Sequence, residues 1–168
     1  MKRIRIEPER LVNGTNPKAL YYELLNSTYP ELDLTPSNSI IILVQGFGDI
    51  NAKDDCIVKI IKPETPWLVH SFLHNRYDLN TVIATPTFTD AELDEIYELS
   101  NSIELVDYMA VKLNLAFTPD AIWTENYGIT PTGGTSGFNW RMKAVWNSLL
   151  WYGEKIVQLH SSTNVISE

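Results

Sequence analysis

The sequence predicts an α+β domain, a small, mostly antiparallel sheet packed against two main helices, with a single domain over residues 1–168. Three observations predict it. Two β-branched runs, SIIILVQ at 39–45 and CIVKIIK at 56–62, flank the turn-rich stretch GFGDINAKDD, the pattern of two paired strands with a long tip. Thr89 and Glu92 form a Thr-x-x-Glu capping box ahead of a stripe of apolar residues at helical spacing. A chain of 168 residues with 44 % hydrophobic content has the size and composition to close one hydrophobic core.

From the N-terminus, residues 2–6 alternate charge and isoleucine, which suits a half-buried strand. Asn16 can cap free N–H groups and Pro17 fits the first helical position, so a helix should run to about Asn26, burying Leu20, Tyr21, Leu24 and Leu25. The continuous run at 39–45 reads as a strand buried on both faces, pairing as an antiparallel hairpin with 56–62. TPWLVHSFLH at 65–74 fits either a short helix or a strand, and TVIAT supplies a strand at about 80–84, ended by Pro86.

The capping box opens a helix over 90–115 whose stripe is Leu93, Ile96, Ile103, Val106, Ala110 and Leu113, with Ser100-Asn101-Ser102 as the point where it would kink or split. Residues 118–137, rich in Thr, Pro, Gly and Asn, read as a long ordered loop. A final helix is expected over 139–159, followed by a polar tail from about 160.

That last helix carries the functional expectation. At 100° per residue, Met142, Val145, Trp146, Leu149, Ile156 and Val157 gather on one side as a core face. Trp140 and Trp151 fall opposite, with Ala144 and Asn147 beside them. A helix apolar on two sides lies between layers or against a partner, and tryptophan is frequent at interface hot spots. Trp140, Ala144, Asn147 and Trp151 are therefore the interface candidates, for a protein partner or for self-association.

The formal net charge is −8, and the basic residues that cluster are Lys2, Arg3, Arg5 and Arg10. Extended phosphate neutralisation is thereby disfavoured, so nucleic acid is not the expected partner, although the basic arm suits an acidic surface. No apolar run reaches the ~20 residues that span a bilayer. The opening MKRIRIEPER has no secretory apolar stretch, which points to the cytoplasm, and the single Cys56 forms no internal disulfide.

Gly133, Gly134, Thr135, Ser136 and Gly137, ahead of the expected helix, resemble an anion cradle in outline and are candidates for ligand or partner contact. They lack the Lys-Ser/Thr of a P-loop, and Gly46-Phe47-Gly48 lacks the third glycine of a dinucleotide fingerprint. His70 and His74 would share a face of a helix and are weak metal-ligand candidates, but Ser71 stands where a metalloprotease needs Glu. Cys56 follows Asp54 and Asp55, surroundings that oppose a thiolate. No catalytic residue and no cofactor is assigned.

The sequence thus suggests a non-enzymatic structural or assembly protein, a subunit of a larger complex. A phage or viral particle component, such as a connector, ring or tail subunit, is one natural home. The alternative is a small-molecule-binding protein or hydrolase built on loop 130–137 with His70, His74 and Arg141.

Overall fold

A computed structural model describes residues 3–46, 55–99, 101–118, 122–124 and 138–159. The chain is α+β and mostly antiparallel. Helix α1 (Pro17–Thr28) begins where the sequence places it, with the Asn16 Oδ1 accepting from the Ala19 N–H at 3.0 Å. Strands β1 (Ile40–Gly46), β2 (Asp55–Ile61) and β3 (Val69–Asn75) form an antiparallel sheet in that order. Residues 69–75 of the ambiguous stretch are therefore strand. The N-terminal arm alternates as expected, with Ile4 and Ile6 buried and Arg3 and Arg5 exposed. It meets the sheet by one parallel bridge, Ile4 to His74, rather than by a ladder.

Beyond β3, Tyr77–Asp78 (β4) pairs in parallel with Trp151–Tyr152 (β7). The strand expected at 80–84 is instead one helical turn, α2 (Leu79–Val82), capped by Asp78, whose carboxylate accepts from the Asn80 N–H. The β-propensity of Thr81, Val82 and Ile83 is a weak preference, and the cap with burial of Leu79 and Ile83 outweighs it.

The capping box is complete: Thr89 Oγ1 accepts from the Glu92 N–H at 3.2 Å and Glu92 Oε2 from the Thr89 N–H at 2.8 Å. The helix it opens does split near Asn101, into α3 (Asp90–Tyr97) and α4 (Ser102–Leu113), and Asn101 caps the second half. The break resets the helical phase. Leu93, Ile96, Val106 and Ala110 are buried, but Ile103 is 55 % exposed and Leu105 and Met109 take the core side of α4.

The largest correction concerns 139–159, which is not a helix. Strands β6 (Phe138–Ala144) and β8 (Glu154–Leu159) pair antiparallel, and β5 (Ile122–Thr124) lies on the other side of β6. Period two rules here: Trp140, Met142 and Ala144 are buried while Arg141 and Lys143 are exposed. The chain reverses through a turn at Val145–Ser148, and Gly153 sits at φ 78°, which a right-handed helix excludes.

Two hydrophobic clusters result. One, between α1 and the inner face of β1–β2–β3, contains Tyr21, Leu25, Val58, Ile60 and Phe72. The other gathers α3, α4 and the β5–β6–β8 sheet around Leu105, Met109, Trp151 and Val157. Leu24 and Leu149 pack against both, so the two clusters are joined through α1 and the turn before β7.

Candidate functional site

The four residues expected at an interface are not brought together on the surface. Trp151 is fully buried, Trp140 is 6 % exposed and Ala144 is buried; Asn147 alone is exposed, in the turn after β6. Trp151 donates its indole N–H to the Ala116 carbonyl at 3.1 Å and stands edge-on to Phe117. Trp146, expected in the core, is 73 % exposed. A helical phase inverts all three indoles, because it places Trp146 inside and Trp140 and Trp151 outside. Trp140 and Trp151 therefore form no surface line, and with Ala144 they belong to the chain's own core, while Asn147 is exposed.

The remaining site candidates are dispersed. Gly133, Gly134, Thr135, Ser136 and Gly137 lie outside the described residues. Arg141 is exposed on β6, 3.9 Å from Glu154, whereas His70 and His74 are on β3, in the other sheet. The two histidines share the inner face of a strand, which separates their backbones by roughly 13 Å, too far for one ion. Among the described residues no three His, Cys, Asp or Glu side chains gather in a way that could hold a metal.

His74 has a structural task. It is fully buried opposite Cys56, and its Nε2–H donates to the Leu149 carbonyl at 2.7 Å. A carbonyl only accepts, so in the neutral ring Nδ1 is the unprotonated nitrogen, and it has no hydrogen-bond partner among the described residues. Burial chiefly, against that hydrogen bond and with Arg76 nearby, lowers its pKa to about 4. Tyr21 stacks edge-on at 4.9 Å, its hydroxyl has no hydrogen-bond partner among the described residues, and burial raises its pKa. This neutral imidazole clamps β3 to the turn before β7. Cys56 beside it is buried among apolar side chains, as its strand position suggested.

The arm makes a polar feature. Both ends of the Asn75 carboxamide bind Ile6, accepting from its N–H at 2.8 Å and donating to its carbonyl at 3.0 Å, and Tyr77 donates to the same carbonyl at 2.6 Å. Arg3, Arg5, Glu7 and Pro8 thereby line an open concavity of about 620 Å³ with Asn75 and Tyr77. Arg5 pairs with Glu7 at 3.2 Å within it.

The most distinctive surface is the outer face of β1–β2–β3. Strand register fixes it: Cys56, Val58 and Ile60 point to α1, so Ile57, Lys59 and Ile61 point away. Ile40, Ile61 and Val69 are cross-strand neighbours in one row, with Ile40 50 % and Val69 44 % exposed. Ile42 is 49 % exposed where the β1–β2 register shifts, and Trp67 and Leu68, leading into β3, are 78 % and 51 % exposed. β1 is an edge of this sheet.

Sequence reasoning saw these strands but missed the surface. The signal was present, since SIIILVQ and CIVKIIK are apolar at both parities. Apolar residues at both parities predict burial on both faces, and among the described residues helix α1 covers one of them. Among the described residues no helix is long and apolar enough to cross a membrane. Comparison with family models, with curated proteins and with solved structures finds no match to this chain.

Proposed function

We propose that the chain is a non-enzymatic interaction module, a subunit of a larger protein assembly, which docks a protein through the outer face of β1–β2–β3. One observation carries the reading. Strands β1 and β2 are β-branched and aliphatic at both parities, IIILV and IVKII, and β3 adds Val69 and Leu73 to their outer face, a composition of sheets covered on both faces, while among the described residues helix α1 covers one. Ile40, Ile61 and Val69 stand in one row across this face, with half-exposed Ile42 where the β1–β2 register shifts and exposed Trp67 and Leu68 in the segment leading into β3, and exposed apolar patches mark docking sites. The basic arm offers a second contact suited to acidic side chains.

The test is a photo-crosslinking amino acid placed at position 42 and, as control, at exposed Lys18 on α1. The expected outcome is protein adducts from position 42 in the expressing cell, with the partner peptide identified by mass spectrometry, and none from position 18. Equal or absent labelling at the two positions would overturn the reading.

A further inference from the structure

We infer that Asn13 is a site of self-modification, at which the folded chain converts an asparagine into aspartate and isoaspartate. Asn13-Gly14 is the only Asn-Gly pair in the sequence. The Gly14 amide nitrogen attacks the Asn13 Cγ, and the proton it gives up leaves with the carboxamide nitrogen as ammonia. The product is a five-membered cyclic imide. Water then opens the ring. Opening at the side-chain carbonyl gives aspartate. Opening at the main-chain carbonyl leaves Gly14 bonded to Cγ, an isoaspartate whose main chain is one methylene longer. Either product adds one negative charge to the turn before α1.

The local geometry leaves both reacting groups free. Val12–Thr15 is a tight turn closed by the Thr15 N–H, which donates to the Val12 carbonyl at 3.1 Å, and Gly14 holds φ 88°. The Gly14 N–H is thus not the one that closes the turn, and among the described residues it has no hydrogen-bond partner. The exposed Asn13 carboxamide has none either; Asn13 is held by its main-chain N–H, which donates to the Asn114 Oδ1 at 3.3 Å. A Cβ at Gly14 would meet nothing within 4 Å, so no neighbour crowds the ring as it closes.

The fold withholds the Asn-Ser pairs, which are next in line because serine is also small. Asn26 binds both the N–H and the carbonyl of Leu34. Asn38 accepts from the Thr35 N–H and donates to the Asp33 carbonyl. Asn101 accepts from the Glu104 N–H as the cap of α4. Asn147 is exposed, but the Ser148 N–H that would have to attack it donates to the Val145 carbonyl at 3.0 Å. Asn16, close to Asn13, precedes Pro17, which has no N–H to lose.

Tryptic mapping by mass spectrometry of the purified full chain, sampled through incubation in mildly alkaline buffer, tests this. The peptide Leu11–Lys18 should gain the mass of an Asn-to-Asp change and separate into isoaspartate and aspartate forms. Conversion should quicken as the pH rises, because the attacking nitrogen must lose a proton. The peptides carrying Asn26, Asn38, Asn101 and Asn147 should stay unchanged, and in urea the Asn147 peptide should begin to convert. Gly14→Ala should slow the reaction at Asn13 and Asn13→Gln should abolish it. An unchanged Leu11–Lys18 segment over a period in which the same segment converts as a free synthetic peptide overturns the inference. So does aspartate formed without isoaspartate, or conversion at Asn147 in the folded chain as fast as at Asn13.

Discussion

Replacing Trp151 by alanine asks directly whether the C-terminal segment is strand or helix. In the strand arrangement its indole is fully buried, donates to the Ala116 carbonyl and packs edge-on against Phe117 at 5.1 Å. A whole indole removes up to about 250 Å² from water, worth about 6 kcal/mol at 25 cal/mol per Å². Partial collapse of the site and compactness of the unfolded chain bring the truncation nearer 3–5 kcal/mol. The stranded Ala116 carbonyl adds about 1 kcal/mol. The melting temperature should then fall by roughly 10–20 °C for a domain of this size.

Trp146→Ala is the paired measurement. Its side chain is 73 % exposed, so the change should stay within about 0.5 kcal/mol. Urea denaturation followed by far-ultraviolet circular dichroism gives both values without relying on tryptophan fluorescence. Trp151→Phe, which keeps a ring but loses the N–H, should fall between. A Trp151→Ala cost below about 1 kcal/mol, or one smaller than that of Trp146→Ala, would refute the packing described and favour the helical phase.

Two further outcomes follow from the same geometry. His74 is neutral in the fold with a pKa of about 4, against about 6.5 unfolded, so its contribution is complete above pH 6.5 and is lost as the pH falls through 4. The loss should reach about 3 kcal/mol over that interval, and a urea-midpoint profile of His74→Leu should be flatter there, although lower at pH 7 for want of the Leu149 bond. Gly153 and Gly14 both hold positive φ, but a Cβ at Gly153 would lie 2.5 Å from Asp78 Oδ1, the cap of α2, while one at Gly14 meets nothing within 4 Å. Gly153→Ala should therefore cost clearly more than the ~1 kcal/mol of backbone strain expected for Gly14→Ala, as measured by denaturant midpoint.

The legible parts of the fold share a short range. Asn16-Pro17, the Thr89–Glu92 box and Asn101 act through hydrogen bonds to backbone two or three residues away, and each helix starts where those residues stand. The β1–β2 hairpin was legible because its two runs are close in sequence and uniformly β-branched. The short run at 81–85 was misread because a local cap at Asp78 and burial of its neighbours decide more than β-propensity does. The candidate site was hidden for a different reason: an apolar parity in a strand says that something should cover it, and leaves open what.

What the sequence determined alone is the class, the caps, the hairpin and the alternation of the N-terminal arm, since these depend on residues within a few positions of one another. Only the tertiary structure decided that 138–159 pairs as strands, because Trp140 needs Val157 across from it and Trp151 needs Tyr77, partners that local periodicity does not contain. The same holds for the outer face of β1–β2–β3. Its residues demand burial, and whether the covering surface lies in the same chain is a property of the fold, set by where α1 can reach.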